Sequence, residues 1–161
     1  MDNDQGYRIL ITGTSGFVAK HAAAELSSLG KIFGISRKPS HWTTHTLDLT
    51  NKVEVENALE EIRPTVIVHA AALSFVDYCE THPDEAYKIN VEATGYLAKY
   101  CTTHACKLIF ISTDYVYDGN SPPHSEKTPV TPLNVYGKNK VEAEQVVSTV
   151  PDHVNLRTTV V

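Results

Sequence analysis

The sequence predicts a doubly wound α/β fold, in which helices cover both faces of a parallel β-sheet. Short runs of β-branched and aliphatic residues alternate along the 161-residue chain with longer stretches whose apolar residues recur at helical spacing. The short runs are apolar throughout rather than alternating, which is typical of strands buried on both faces. A glycine-containing turn also links the first strand to the first helix. Together these patterns predict a parallel sheet in one domain spanning residues 1–161.

The first half of the chain contains three predicted strands and two predicted helices. The strands are residues 7–11, 32–35 and 46–49, and the helices are residues 18–29 and 53–62. We expect Gly30 to end the first helix, because a residue without a side chain suits the left-handed position that follows many helices. Thr50 or Asn51 is expected to cap the second helix, and Pro64 to end it.

The second half continues the same alternation. Its predicted strands are residues 65–72, 107–111 and 154–161, and its predicted helices are residues 83–104 and 134–148. The segment 118–132 holds four of the eight prolines, so we expect no regular element there. The last predicted strand runs to the final residue, from which we expect a domain truncated within that strand and an absent C-terminal substrate domain.

Composition excludes several classes of protein. The net charge is −5 and no block of Lys and Arg occurs, which argues against nucleic-acid binding. The longest apolar run, residues 66–73, is too short to span a bilayer, so no membrane association is expected. The three cysteines are odd in number and lack metal-type spacing. We therefore predict a cytoplasmic protein with reduced thiols and no metal site.

The turn after the first strand has the composition of a phosphate-binding loop. It reads Thr12-Gly13-Thr14-Ser15-Gly16-Phe17-Val18-Ala19. Gly13 and Gly16 suit a tight turn whose backbone N–H groups approach a pyrophosphate closely, and Ala19 is small enough to pack the helix on its strand. Thr14 and Ser15 offer hydroxyl donors to phosphate oxygens. The turn predicts dinucleotide binding, with a purely structural turn as the alternative.

The end of the second strand favours NADP over NAD. NAD-binding proteins carry an acidic residue there for the ribose 2′-hydroxyl, whereas this chain has Ser36-Arg37-Lys38, a hydroxyl and two cations suited to a 2′-phosphate. A solvated surface pair is the alternative for the two cations. Asp48, followed by Leu49, stands where a carboxylate can accept the adenine amino group, although a helix-entry cap explains it equally well.

Tyr136 and Lys140 are four residues apart and share one face of a predicted helix. A reduced ketone needs a proton on its oxygen, and a tyrosine supplies it better when a neighbouring ammonium lowers the phenol's pKa. Ser112 or Thr113, at the end of a predicted strand, would donate a further hydrogen bond to the same oxygen. The alternative is a surface Tyr and Lys on an amphipathic helix.

Taken together, these motifs resemble the extended short-chain dehydrogenase/reductase family, whose fold is of the Rossmann type. The matching strings are residues 12–19, His69-Ala70-Ala71-Ala72, Tyr136-x-x-x-Lys140 and Leu156-Arg157-Thr158. Residues 112–119 and 132–138 are most similar to the dTDP-4-dehydrorhamnose reductases within that family. The resemblance implies that Thr113 polarises the keto group, Tyr136 is the acid and Lys140 binds the nicotinamide ribose. It also implies that Ala70, Ala71 and Ala72 line the cofactor channel, close strand–helix packing being compatible with that role.

The resemblance implies NADP-dependent reduction of a 4-keto nucleotide sugar, provided that the missing C-terminal domain is supplied. An epimerase or dehydratase of the same family is one alternative. A non-catalytic NADP-binding regulatory module, like the β subunit of methionine adenosyltransferase, is the other. Family members commonly dimerise, which implies a homodimer through the helices at 83–104 and 134–149.

Overall fold

The computed structural model describes residues 6–120 and 122–159 and contains a six-stranded sheet. The strands are β1 Tyr7–Thr12, β2 Gly30–Ser36, β3 His45–Thr46, β4 Val66–His69, β5 Lys107–Thr113 and β6 His153–Thr158. They pair in the order β3-β2-β1-β4-β5-β6, and every pair is parallel. The predicted doubly wound parallel sheet is therefore confirmed, with its change of direction between β1 and β4.

Six α-helices occur between the strands in this part of the chain. They are α1 Phe17–Leu26, α2 Lys52–Ile62, α3 Val76–Thr81, α4 Pro83–Tyr87, α5 Ala93–His104 and α6 Val135–Val147. A π-helical turn, Lys88–Glu92, joins α4 to α5, and a 3₁₀ turn, Asp114–Val116, follows β5. None of the helices in the described ranges is long and apolar enough to cross a membrane. The same ranges hold no group of side chains suited to a metal ion.

The sheet separates two hydrophobic cores because successive strand residues point to opposite faces. On one face, α2, α5 and α6 pack over Leu10, Ile67 and Leu108. On the other face, α1 places Ala19 and Ala23 against the sheet. These small side chains bring α1 close to β1 and so fix the position of the turn between them.

Several predicted boundaries differ from the structure. The first helix ends at Leu26 rather than at residue 29, and Gly30 begins β2 instead of ending that helix. A Cβ on Gly30 would collide with the Tyr7 carbonyl oxygen, so the close approach of β1 explains this glycine. The strand predicted at 46–49 overlaps β3 only at Thr46, since β3 begins one residue earlier, and the strand predicted at 65–72 is shortened to β4. Residues 160 and 161 of the last predicted strand lie outside the described residues.

Three elements of the second half were not predicted: α3, the π-helical turn and the 3₁₀ turn after β5. Helix α3 follows β4, and the helix predicted at 83–104 is interrupted by the π-helical turn. The proline-rich segment has neither helix nor strand over residues 118–120 and 122–132, as predicted.

Candidate functional site

A cleft of about 630 Å³ lies at the carboxyl ends of the strands, beside the point where the strand order reverses. Parallel α/β sheets bind ligands at this position. The glycine turn, residues 36–38 and residues 47–49 line one side of the cleft. Residues 70–72, residues 111–113 and the first turn of α6 line the other side. The cleft thus brings together the two regions that the sequence assigned to cofactor binding and to chemistry.

The glycine turn is built to approach a ligand with its backbone. Gly13 has a φ of 78°, and a Cβ on it would lie 2.9 Å from Cα of Ala71. Gly16 precedes α1 as its N-cap and provides no side-chain hydrogen bond to the first turn. The N–H groups at the start of α1, at Phe17 and Val18, therefore face the cleft without a side-chain cap, and both residues line it. This cradle fits the pyrophosphate of a dinucleotide.

Ser15 lines the cleft as predicted, but Thr14 does not. Thr14 is completely buried, its hydroxyl bonds that of Thr43 at 2.9 Å, and its N–H donates to the Ile35 carbonyl at 3.4 Å. The prediction that the Thr14 hydroxyl meets a phosphate is therefore wrong. The side chain instead holds the turn against the loop after β2.

At the end of the cleft next to β2, Arg37 and Lys38 are exposed and form no ion pair with any described residue. Their cationic groups are thus available to an anionic ligand. Ser36 also lines the cleft, but it is largely buried and its hydroxyl donates to the Lys38 carbonyl at 2.5 Å. This bond shapes the 36–38 segment, and the contact of Ser36 with a 2′-phosphate stays a prediction.

Asp48 and Leu49 also line the cleft. Oδ1 of Asp48 accepts hydrogen bonds from the N–H and the hydroxyl of Thr50, at 2.9 and 2.8 Å. Asp48 therefore stabilises the entry to α2, whose N-cap is Asn51, while its carboxylate remains at the edge of the cleft. The two interpretations of Asp48 are compatible.

The wall formed by Ala70, Ala71 and Ala72 is supported by a buried hydrogen-bond network that the sequence did not reveal. The Ala71 N–H donates to Oγ1 of Thr12 at 3.2 Å, and Thr12 bonds Nδ1 of His69 at 2.7 Å. Nε2 of His69 lies 3.0 Å from Oγ1 of Thr94.

Because Thr94 donates its single proton to the Asn90 carbonyl, His69 must carry its own proton on Nε2. Burial, assisted by the charge of Lys140, lowers the pKa of His69 to about 3. The imidazole is consequently neutral and holds Ala71 against the glycine turn.

Asn90 extends this support into the cleft wall. Its side chain accepts from the Leu73 N–H at 2.8 Å and donates to the Leu73 carbonyl at 3.0 Å. Asn90 is buried within the π-helical turn. This irregular turn therefore directs the Asn90 side-chain amide toward the segment that follows β4.

Tyr136 and Lys140 lie on one face of α6 and both line the cleft, as predicted. Nζ of Lys140 donates to the Ile111 carbonyl at 2.6 Å and lies 3.8 Å from the Phe110 ring centroid. Burial lowers the pKa of Lys140 to about 7, opposed by the charge of Glu144. The lysine therefore titrates near neutral pH.

The pKa of Tyr136 is raised, chiefly by burial, while a hydrogen bond with Thr113 lowers it. We expected the Lys140 charge to lower this pKa, and in this structure it is not among the causes of the shift. The prediction of a depressed phenol pKa is therefore wrong. The phenol is held in its protonated form at neutral pH, as a proton donor must be.

The structure distinguishes between Ser112 and Thr113, the two candidates for the hydroxyl beside Tyr136. Thr113 contacts Tyr136, and its Oγ1 accepts the Tyr115 N–H at 3.2 Å. Ser112 points to the opposite face of the sheet and donates to Oε1 of Glu144 at 2.5 Å. Thr113 is therefore the hydroxyl that lies beside the phenol.

These features define a dinucleotide-binding α/β protein whose cleft carries a tyrosine, a lysine and a threonine. Residues 7–161 match the model of the family described as the RmlD substrate binding domain. The chain belongs to that family, and its neighbours fall within the extended reductase and epimerase group that the sequence resembles.

Two curated relatives show the extent of the likeness. Methionine adenosyltransferase 2 subunit beta of Bos taurus is 37% identical over 141 residues, which is 87% of this chain and 42% of that protein. The dTDP-4-dehydrorhamnose reductase of Aggregatibacter actinomycetemcomitans is 37% identical over 153 residues, which is 94% of this chain and 50% of that enzyme. The chain thus spans about half the length of the curated relatives it matches.

Solved structures show the same relationship. The dTDP-4-dehydrorhamnose reductase of Bacillus anthracis, in complex with NADP, superposes with a TM-score of 0.87 at 34% identity, covering 98% of this chain and 55% of that chain. The UDP-glucose 4-epimerase of Thermus thermophilus, in complex with NAD, superposes with a TM-score of 0.82 at 25% identity, covering 92% and 54%.

Proposed function

We propose that this chain is the NADP-binding and proton-donating half of a reductase that acts on a 4-keto nucleotide sugar. One observation carries the proposal: Thr113, Tyr136 and Lys140 line the same cleft as the uncapped start of α1. The likeness to a dTDP-4-dehydrorhamnose reductase and to the NADP complex of another supports the substrate class.

Each residue has a role that follows from its surroundings. NADPH, when bound, would supply the hydride that reduces the keto carbon. Tyr136 is protonated at neutral pH, because burial raises a phenol pKa whose ordinary value is already about 10, and its hydroxyl can donate that proton to the more basic alkoxide that develops. Thr113 would donate a hydrogen bond to the same oxygen, which stabilises the charge that develops there. Lys140, with a pKa of about 7, would offer its ammonium donors to the ribose.

The Tyr136→Phe variant tests this assignment. The measurement is NADPH oxidation with dTDP-4-dehydrorhamnose by the protein that carries this chain. We expect kcat to fall roughly 100-fold or more, because general acid catalysis contributes at least that much, with an unchanged Kd for NADPH. Tyr115→Phe is the matched control, since that phenol is exposed and packs edge-on against Tyr136. Equal turnover in Tyr136→Phe and wild type would overturn the assignment.

The preference for NADP rests on Arg37 and Lys38. We expect NADPH to bind more tightly than NADH, and Arg37→Ala to weaken NADPH about tenfold without affecting NADH, because a charge-assisted hydrogen bond contributes about 1.5–3 kcal/mol. Fluorescence titration measures both affinities. Equal affinity for NADPH and NADH would contradict the role of Arg37 and Lys38 in cofactor choice. The chain is also similar to an epimerase solved in complex with NAD.

A regulatory, non-catalytic NADP-binding module is the second candidate, supported by the 37% identity to methionine adenosyltransferase 2 subunit beta. NADPH binding without turnover on any 4-keto sugar nucleotide would favour it. NAD retained through purification would favour an epimerase or dehydratase instead. The cytoplasmic location and the homodimer through the helices at 83–104 and 134–149 stay predictions.

A further inference from the structure

A buried polar cluster lies behind Lys140, on the face of the sheet covered by α6. Its members are Ser112, Glu144 and Arg157. Nε and Nη2 of Arg157 donate to the two carboxylate oxygens of Glu144, at 2.9 and 2.7 Å. Ser112 donates to the same carboxylate. The Glu144 side chain is 8% exposed and the Arg157 side chain 25%, so the carboxylate is largely removed from water while the guanidinium remains partly exposed.

This cluster and the lysine share one helix and one strand, although Lys140 and Glu144 form no ion pair with each other. Glu144 is four residues after Lys140 on α6, which puts both side chains on one helix face. Lys140 bonds the Ile111 carbonyl, and Glu144 bonds the hydroxyl of the next residue, Ser112. Arg157 is the register partner of Ser112 across β5 and β6, so its side chain points to the same face of the sheet.

We propose that Glu144 and Arg157 form a positioning pair that sets the charge state of Lys140. The Glu144 carboxylate favours the ammonium form of the lysine, and Arg157 limits that effect by neutralising the carboxylate. Any effect of this pair on catalysis rests on the proposed function. The charge of Lys140 itself can be measured without turnover.

Other charged and titratable groups near Lys140 do not replace this pair. His69 on β4 is neutral, and Tyr136 on α6 is protonated at neutral pH. The Phe110 ring and the Ile111 carbonyl carry no net charge. Glu142 bonds the hydroxyl of Tyr87 on α4 at the surface.

The elements packed against α6 carry further charged or titratable groups, and none of them is among the causes of the Lys140 pKa shift. These groups include Asp77, Glu80, Asp84, Glu85, Lys88, Glu92, Lys99, His104, Lys107, Asp114 and His153. Burial and Glu144 alone act on the Lys140 pKa. A lysine that titrates near pH 7 is poised so that a change at Glu144 alters its protonated fraction.

The test is the titration of Lys140 in the ligand-free chain, followed by NMR with lysine labelled at Cε and Nζ. Lys140→Arg assigns the signal. We expect Glu144→Gln to lower the pKa of Lys140 by about one unit, because the attraction is lost while the Arg157 charge remains. We expect Arg157→Met to raise it by about one unit, because the carboxylate is then unopposed.

Shifts of the Lys140 pKa in opposite directions in the two variants distinguish control by charge from a structural role. Loss of packing would shift that pKa in the same direction in both variants. Arg157→Lys should restore the wild-type value. Tyr117→Phe, which removes the 2.8 Å bond from Nη1 of Arg157 but leaves its pair with Glu144, should not shift it.

If Arg157→Met does not fold, Glu144→Gln and Arg157→Lys still decide the matter. An unchanged or raised pKa in Glu144→Gln overturns the proposal. A chain that never reduces a keto sugar but shows these shifts would refute the proposed function and leave the positioning pair standing.

Discussion

Gly13 is the residue on which the cofactor cradle depends most directly. Its positive φ is a conformation that other L-residues adopt only at a cost, and its Cα faces Ala71 from the neighbouring strand end. The N–H of Gly13 donates to the Ile35 carbonyl at 2.7 Å, so one residue joins the ends of β1, β2 and β4. Backbone conformation and close approach are both required at this position.

We expect Gly13→Ala to reduce the free energy of unfolding by about 2–4 kcal/mol, combining a left-handed backbone with overpacking against Ala71. Gly119→Ala is the matched control, because Gly119 has a φ of 77° but no atom lies within 4 Å of the place that a Cβ would occupy. That variant should lose only about 1–2 kcal/mol, the backbone part alone. Urea denaturation of both variants measures the difference, and equal losses would contradict the role of the Ala71 contact.

Hydroxyl groups were the least predictable part of the site. The types and positions of Thr14, Ser36 and Ser112 all suited contact with a ligand, yet each hydroxyl has a protein partner. A hydroxyl rotates to whichever partner the folded chain brings near. That partner is 29 residues away for Thr14 and 32 for Ser112, whereas for Ser36 it is the carbonyl two residues on, whose position depends on how the loop folds. The glycines were predictable, because their requirement comes from the local turn itself.

At the scale of single elements, α6 carries the phenol and the lysine, and its start is held by Asn134. Oδ1 of Asn134 accepts the Gly137 N–H at 2.7 Å, and Gly137 fits beneath the Tyr115 carbonyl where a Cβ would collide. The first turn of α6, which contains Tyr136, is therefore fixed by both its cap and its packing. Asn51 caps α2 through a longer contact, 3.4 Å from the Glu54 N–H.

We expect Asn134→Ala to cost about 1 kcal/mol of unfolding free energy, the usual value of a lost N-cap. Asn51→Ala should cost less, because its hydrogen bond is at the limit of useful length. Thermal and urea unfolding compare the two variants. A larger loss of unfolding free energy in Asn51→Ala than in Asn134→Ala would show that the lengths of these two N-cap hydrogen bonds do not reflect their contribution to stability.

The hydrophobic periodicity of the sequence predicted the long helices and strands, but it did not predict α3 or the π-helical turn. Residues 83–104 have a continuous helical pattern, and only the buried Asn90, bonded to Leu73, explains why the helix widens there. Helix α3 has six residues, fewer than two helical turns, which is too short for its periodicity to be distinguished from a loop. Tertiary contacts determine both elements, so sequence pattern alone could not predict them.

For the molecule as a whole, the two faces of the sheet are covered unequally. Among the described residues, three helices pack on one face, whereas α1 and Trp42 from the loop after β2 pack on the central strands of the other. On β6, Val154 is 39% exposed and Leu156 is 46% exposed. Within the described ranges β6 pairs only with β5, so its other edge is also free of strand partners. An apolar strand with an open edge is a site of self-association.

We expect the 161-residue chain to associate with itself through this strand, and the double variant Val154→Thr and Leu156→Thr to reduce the association. Threonine has the β-branched shape that suits a strand, which Val154 already has and Leu156 lacks, and it removes apolar surface, so the free energy of unfolding should change by only about 0.5 kcal/mol. Light scattering and sedimentation velocity over a concentration series measure the effect. Val53→Thr is the control, because Val53 is 65% exposed on α2 and away from any strand edge. Equal reductions in the double variant and the control would show that β6 has no special part in association.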